Sequence, residues 1–458
     1  MVTPKMASCP VSCRIKRSIR LPYCRSRPCD AGFISGFLAM LLHLLYDPIE
    51  PGFSPTRIPP MTNRPEHIDK PHLRRIQPLP VHNDQNQQAV ALRDPLMLCE
   101  QTMVVPPQVM VALQQCNGQH SLDDIAGAVK QDPAIVQQLV EKLDEFGLVW
   151  GPRFEELEAE KQRALQAEGA YPVRATEGLR QDGDDGRAMI TSWLDQEEDP
   201  EVGFTPRGLF APHMDYVRTW PIFAGCWQAL RSMTPPDRVV VLSTNHYGIG
   251  DGVVCTRLGF ETPMGRMESD DTLLDPLLSA VGDQVLVDEL DHIASTGIEM
   301  QLPWIQACWG NVPVVGILVP DPAQSLLEDD HERIGRTDFN QQLRACVEQV
   351  GGTTFFVGAG DLSHVGPQFG EPRPVDDQRC GDVEQQDRDL LGHIVDGDLE
   401  AFTSALQWSK NPTRWASAGV FASLLEVLQP DEVELIDYRQ NVNEQNTSLV
   451  SFCGLLMA

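Results

Sequence analysis

Basic residues are scarce in this chain of 458 residues, where 36 lysines and arginines stand against 65 aspartates and glutamates, for a net charge of −29. The few basic residues are also unevenly placed. Residues 1–60 hold eight of them against three acidic residues, so the remainder of the chain is more acidic still. A surface of that sign repels phosphate backbones and anionic lipid headgroups. We therefore expect neither nucleic acid nor membrane among its partners.

Closely paired cysteines are lacking too. The chain has twelve cysteines but no CxxC motif; four lie in the first 30 residues, and the other eight are scattered, mostly in apolar sequence. This spacing excludes a zinc cluster built from neighbouring thiols. Isolated cysteines in apolar segments are typical of buried free thiols in a reducing compartment. We therefore expect a cytoplasmic protein.

No hydrophobic run is long enough to cross a bilayer comfortably. The apolar segment at 33–46 is short, and the sequence after it has no small-residue processing site of the kind that follows a signal peptide. Residues 1–64 are therefore predicted to be a disordered or misassigned extension, with Met61 as the preferred start of translation. A chain that starts at Met61 is expected to melt like the full chain.

Strands and helices alternate through most of the sequence after residue 205. Strands are predicted at 207–212, 238–244, 284–288, 313–319, 353–357, 432–438 and 448–455, and helices at 220–232, 271–281, 298–309 and 338–350, with two or three more between 383 and 428. Such alternation is typical of parallel sheets. The predicted fold class is α/β, with a predominantly parallel sheet flanked by helices.

The region before this alternation has a different pattern. Residues 65–152 contain short predicted strands at 89–92 and 103–105 and three predicted helices, the second of them capped by Ser121. This combination favours a small winged-helix-like α+β module. It carries few basic residues, so a peptide or protein segment is a better partner for it than DNA. A helical linker at 153–169 then leads to the main domain, 170–458.

A histidine lies at or just past the C-terminal end of each of three predicted strands. His213 follows strand 207–212, His246 follows strand 238–244, and His364 follows strand 353–357 with Asp361 and Ser363 close before it. Ligands of open α/β sheets bind in the crevice beyond the carboxyl ends of the strands. The three histidines are therefore predicted to share one site.

The residue types at this site allow two chemistries. Two neutral imidazoles and one carboxylate suit Fe(II) and leave positions open for substrate and O₂. His213 and His246 would supply the imidazoles, and Glu299 or Asp361 the carboxylate. The second reading makes Ser363 a nucleophile, but no Gly-x-Ser-x-Gly elbow surrounds it, which disfavours that reading.

Five segments in the main domain resemble the Memo family, also called AmmeMemoRadiSam system protein B. They read, in order, APHMDY at 211–216, LSTNHY at 242–247, ETPMG at 261–265, IEMQLPW at 298–304 and DLSHVG at 361–366. The resemblance covers residues 170–458. The N-terminal module is similar to the small winged helices that accompany radical-SAM systems.

The resemblance implies a fold like that of class III extradiol dioxygenases and a metal-centred site. It also implies Fe(II), or else copper, as cofactor, and a redox or oxidoreductase function exercised with a radical-SAM partner on a small-molecule or peptide substrate. Catalytic residues would come from His213, His246, Glu299, Asp361, Ser363 and His364. A metal-binding scaffold or adaptor without turnover is the alternative function.

Two positions depart from the family pattern. Thr296 stands where the family commonly has a histidine, and Ser363 stands where vertebrate-type members have a cysteine. By the resemblance, His213, His246 and Ser363 are the metal ligands. A neutral hydroxyl is a poor ligand for a divalent ion. Ser363 therefore orients a metal-bound water, or Asp361 or His364 replaces it, or two histidines hold the metal weakly; the last arrangement is favoured, with Asp361 and His364 as auxiliary groups.

Overall fold

A computed structural model describes residues 64–83, 87–99, 101–179, 186–246, 252–320 and 334–458. The described residues from Arg64 to Ala458 belong to one compact unit. The predicted extension at 1–64 lies outside the described residues except for Arg64. None of the described helices combines the length and apolar character needed to cross a membrane.

The N-terminal region consists of short elements around a small core of its own. These are helix α1 (Glu66–Asp69), strands β1 (Gln77–His82), β2 (Gln88–Arg93) and β3 (Met103–Val105), and helices α2 (Val109–Leu113), α3 (Leu122–Val129) and α4 (Pro133–Glu145). The strands form an antiparallel sheet in the order β1-β2-β3. The predicted cap of α3 is confirmed: Ser121 and Asp124 form a reciprocal capping box.

This region is packed against the main domain through helix α5 (Pro152–Glu168), which covers the predicted linker. Phe154 of α5 belongs to the main hydrophobic core, together with Leu96 from the N-terminal region. The guanidinium of Arg74 lies over the Phe154 ring, 4.3 Å from its centroid, and pairs with Asp94 at 3.2 Å. Helix α5 is therefore a packed element of the interface.

The main domain is built on an eight-stranded sheet. Its strands are β5 (Gly208–Ala211), β6 (Arg238–Asn245), β7 (Val254–Cys255), β9 (Val314–Pro320), β10 (Thr354–Ala359), β11 (His364–Val365), β12 (Val433–Val442) and β13 (Leu449–Met457). The order is β11-β13-β5-β10-β6-β9-β7, with β12 paired to β13. Strands β4 (Ala170–Tyr171) and β8 (Gly259–Phe260) form a separate parallel pair.

The prediction of a predominantly parallel sheet is correct for its centre alone. Strands β5, β10, β6 and β9 run parallel to one another. The two edges are antiparallel, because β13 reverses beside β5 and β7 reverses beside β9. The fold is therefore mixed α/β. The central strands are buried along almost their whole length, since helices cover both faces.

The helices of the main domain agree broadly with the predicted ones. They are α6 (Arg187–Leu194), α7 (Tyr216–Leu230), α8 (Asp271–Val281), α9 (Asp291–Ala294), α10 (Gly297–Trp309), α11 (Arg336–Val350), α12 (Asp377–Val395), α13 (Leu399–Ser409) and α14 (Ala418–Leu428). The strand predicted at 284–288 is wrong: Asp283–Leu286 is a 3₁₀ turn packed behind α8. Large hydrophobic cores lie on the two faces of the sheet.

Candidate functional site

The topology brings the predicted site residues to one edge of the sheet. Strands β5, β10 and β6 are adjacent and parallel, and Ala359 of β10 is in register with Ala211 on one side and Ser243 on the other. His213 comes two residues after β5, Asp361 two residues after β10, and His246 directly after β6. The crevice at the carboxyl ends of these strands is where ligands of such sheets bind.

A cavity of about 380 Å³ opens at this edge. The residues that line it are His213, His246, Ala294, Ser295, Thr296, Gly297, His364, Phe369, Arg414, Trp415 and Ala416. All three predicted histidines are therefore wall residues of one pocket. Asp361 is buried beneath them and contacts His213.

His213 is the most constrained of these residues. Its ring lies edge-on to that of His246, with 5.0 Å between centroids, and its Nε2 is 3.3 Å from Oδ2 of Asp361. Its backbone N–H donates to the other oxygen of the same carboxylate. Burial lowers the pKa of His213 to about 3, aided by His246 and opposed by the Ala359 backbone carbonyl. The ring is thus neutral at physiological pH, as a metal ligand must be.

Asp361 and His364 have pKa values shifted toward each other. Burial raises the pKa of Asp361 to about 6, although the neighbouring histidines and the backbone N–H groups of His213 and Met214 oppose this. Burial lowers the pKa of His364, against the attraction of Asp361. The Nδ1 atom of His364 is 3.1 Å from the Leu362 carbonyl, which only accepts, so Nδ1 carries the proton and Nε2 keeps its lone pair.

The opposite wall is the N-terminus of α10. A Cβ atom at Gly297 would lie 2.0 Å from Oγ of Ser243 and 3.4 Å from Cβ of His213. Only glycine allows the helix to approach β6 this closely. Thr296, the departure noted in the sequence, lines the pocket just before this glycine.

Glu299 is not among the residues that line the pocket. Its carboxylate accepts hydrogen bonds from the backbone N–H groups of Arg174, Ala175 and Thr176, and from the Thr176 hydroxyl at 2.7 Å. These bonds fasten the segment after β4 to the first turn of α10. The structure therefore gives this carboxylate a fastening role away from the histidines.

Ser363 is also separated from the pocket. Its side chain is fully buried, and its hydroxyl donates to Asp387 of α12 at 2.5 Å. Its backbone N–H donates to Ser451 Oγ at 3.0 Å. Since β-type segments point successive side chains to opposite sides, Ser363 faces the helix while its neighbour His364 lines the cavity.

Three large side chains of the pocket wall escaped the sequence analysis. Phe369 lies edge-on to His364 at 5.2 Å, and Nη1 of Arg414 donates to the His364 carbonyl at 3.2 Å. Trp415 forms part of the wall between them and α14. Arg414 and Trp415 come from the loop before α14, and Phe369 ends a 3₁₀ turn, Pro367–Phe369, shortly after β11. The spacing of these residues in the sequence does not point to the histidines.

The donor groups at this site are of types that metals accept. Two imidazoles with a carboxylate 3.3 Å from one of them are ligand types that suit iron or copper. Across the described ranges, however, no three His, Cys, Asp or Glu side chains converge closely enough to hold an ion as they are placed. The arrangement fits two imidazole ligands, with Asp361 and His364 beside them.

Comparison with known proteins places these features in a family context. The family model described as Memo-like protein matches residues 173–456. A MEMO1 family protein of Aquifex aeolicus is 22% identical over 375 residues, covering 80% of this chain and 95% of that protein. One of Thermus thermophilus is 23% identical over 323 residues, covering 70% and 92%. One of Pyrobaculum aerophilum is 30% identical over 172 residues, covering 37% and 57%.

Proposed function

This chain belongs to the Memo-like protein family, and from that premise we propose that its pocket is a redox site that binds Fe(II) or copper through His213 and His246. One observation carries the proposal: His213 and His246 line one cavity at the carboxyl ends of adjacent parallel strands, and the buried Asp361 carboxylate lies 3.3 Å from His213. Fe(II) or copper would supply one-electron chemistry and a position for O₂ or substrate.

The protein's own groups have separate tasks in this proposal. Burial keeps His213 neutral, so no proton competes for its ring nitrogen near pH 7. With its pKa raised to about 6, Asp361 exchanges a proton near neutral pH and can take the proton that a substrate releases. His364 accepts a proton at Nε2, since its Nδ1 is occupied by the Leu362 carbonyl. Phe369 and Trp415 give the substrate apolar walls.

The N-terminal region is proposed to be a winged-helix-like module that recognises a protein or peptide, with a radical-SAM enzyme as partner of the whole chain. The sequence resemblance supports the partner, and three short strands beside helices α2 to α4 support the module. Its packing on the main domain through Phe154 and Leu96 would couple a partner bound there to the domain that carries the pocket. The main domain is likewise proposed to have the class III extradiol dioxygenase-like fold.

The test is metal analysis of protein purified anaerobically from cells supplied with iron and copper. Wild type is expected to retain iron or copper, and the His213→Ala/His246→Ala double variant to lose it. His393→Ala, a partly exposed histidine on α12, is the matched control and should retain wild-type metal. Equal metal content in the double variant and wild type would refute the ligand assignment.

A scaffold without turnover is the competing function. The metal-loaded protein should be incubated aerobically with catechol-like compounds and peptides while O₂ uptake is recorded. Uptake that depends on His213 and His246 is expected for a redox enzyme. Binding of metal without any product would favour the scaffold instead.

A further inference from the structure

One buried carboxylate behind the pocket takes no part in the proposed chemistry. Asp387 lies on α12 and is fully inaccessible to solvent. It occupies a position in the apolar stripe that Val383, Leu390, Leu391 and Ile394 otherwise form on this helix. Burying a carboxylate is strongly unfavourable unless hydrogen bonds compensate for the lost water, so its presence in that stripe requires an explanation.

Four side chains from four different segments donate to this carboxylate. Oδ1 accepts from the Ser363 hydroxyl and from Nε1 of Trp415, each at 2.5 Å. Oδ2 accepts from the Tyr438 hydroxyl at 2.8 Å and from the Ser451 hydroxyl. Asp387 thus joins α12 to strands β12 and β13, to the segment before β11, and to the loop before α14.

Two of these donors determine where the pocket wall lies. Trp415 is itself a wall residue, and Ser363 stands between Asp361 and His364. The segments that carry them are joined by backbone hydrogen bonds, from His364 N–H to the Thr413 carbonyl at 2.7 Å and from Ala416 N–H to the Leu362 carbonyl at 3.3 Å. Fixing Ser363 and Trp415 therefore fixes His364.

We propose that Asp387 is a positioning residue of the site. By holding Trp415 directly and His364 through Ser363, it sets the distance between the imidazole and the apolar wall of the cavity. The inference rests on the proposed function of the same pocket. It also explains why Ser363 faces α12: the hydroxyl is needed as a donor to the carboxylate.

Two substitutions separate positioning from a general contribution to stability. Asp387→Asn keeps an oxygen for Trp415 and Ser363, and its amide NH₂ can donate to Tyr438 and Ser451, whose hydroxyls can turn to accept. Asp387→Ala removes all four bonds. We therefore expect Trp415 and His364 to keep their wild-type positions in the asparagine variant and to move in the alanine variant.

The measurement is nitrogen-15 NMR of the indole and imidazole groups in metal-free protein, with signals assigned through Trp415→Phe and His364→Asn. In Asp387→Ala, the Trp415 indole N–H should exchange with water roughly tenfold faster or more, and the His364 ring signals should move. In Asp387→Asn both should stay near wild type. Asp270→Ala, which breaks the buried 2.7 Å pair with Arg238 at the other end of β6, controls for lost stability alone.

If Asp387→Ala does not fold, Ser363→Ala removes the side-chain link between the carboxylate and the His364 segment. It should move the His364 ring signals and leave the Trp415 indole in place. Unchanged His364 ring signals in Ser363→Ala, or in a folded Asp387→Ala variant, would overturn the proposal. Because every sample is free of metal, a failure of metal binding leaves this test intact, and failure of this test leaves metal binding intact.

Discussion

At the scale of single residues, burial decides the chemistry of the pocket. It lowers the pKa of His213 to about 3 and raises that of Asp361 to about 6, although the two side chains are 3.3 Å apart. In an exposed pair at that distance, the pKa of the histidine would rise and the pKa of the aspartate would fall, because each charge would stabilise the other. Burial instead keeps His213 neutral at pH 7, where Asp361 with its pKa of about 6 is mostly ionised, and the neutral imidazole is ready to bind a cation.

Ser363 provides a residue-scale prediction. The resemblance makes it a ligand position, but its hydroxyl is bonded to Asp387 and faces away from the cavity. Ser363→Cys should therefore leave Cu(I) affinity within about twofold of wild type, measured by competition with a chromogenic chelator. A marked tightening of Cu(I) binding would show that the position faces the metal.

His292 provides a prediction for pH dependence. It is buried beside the rings of Tyr171 and Phe260, and burial lowers its pKa to about 3 against the Val254 backbone carbonyl. Its unfolded pKa is about 6.5, so the unfolded state binds the extra proton and stability is lost as pH falls from about 6.5 toward about 3.

His292→Phe removes this titration while keeping an aromatic ring in place. Between pH 7.5 and 4.5, wild type should lose ~2–3 kcal/mol more unfolding free energy than the variant, as measured by urea denaturation. Because the two proteins are compared by how their unfolding free energy changes with pH, any destabilisation by the larger phenylalanine ring that is independent of pH cancels. If the unfolding free energies of the two proteins change equally with pH, His292 does not take up a proton on unfolding.

At the scale of elements, residues with strong local preferences were the most predictable. Helix 271–281 was predicted at its observed bounds, and Ser121 was predicted as the cap of α3. Ser121 and Asp270 cap the first turns of these two helices, and apolar spacing sets the length of each. Strand β1 was missed because Pro78 and Pro80 disfavour a strand in sequence, although they are tolerated at an edge. The strand predicted at 284–288 was wrong because Asp283–Leu286 forms a 3₁₀ turn, which buries Val285 against α8.

The site was predictable only where it follows strands. His213, His246 and Asp361 come directly after buried strands, so their meeting follows from the parallel order of β5, β10 and β6. The positions of Trp415 and Asp387 depend on how α12 and the loop before α14 pack against β11. Such long-range packing leaves no periodic trace in the sequence. The one available sign was an aspartate in the apolar stripe of α12.

The N-terminus of α10 provides an element-scale prediction. Gly297→Ala places a methyl group 2.0 Å from Ser243 Oγ, so the helix must move away from β6. We expect a loss of ~1–3 kcal/mol in urea denaturation and weaker metal binding. Gly127→Ala is the matched control, since no heavy atom lies within 4 Å of the new methyl group and α3 should gain ~0.5–1 kcal/mol. Equal effects at both positions would contradict the close approach.

At the scale of the whole molecule, a net charge of −29 is expected to disfavour binding to polyanions such as DNA. No gel shift is expected with duplex DNA even at low salt, where phosphate contacts are strongest. Protein without residues 65–152 is an unsuitable control, because that deletion removes Leu96, which belongs to the same core as Phe154 and the main domain. Tight binding that weakens as salt rises would instead assign the N-terminal module to DNA.

We propose that His213 and His246 hold a metal at the carboxyl ends of β5 and β6. Crystals grown and soaked with Fe(II) without oxygen, and measured just above the iron absorption edge, test it most directly. We expect one strong anomalous peak about 2 Å from a ring nitrogen of each histidine, absent from the His213→Ala/His246→Ala variant. A peak bound elsewhere, or one that survives in that variant, would contradict it.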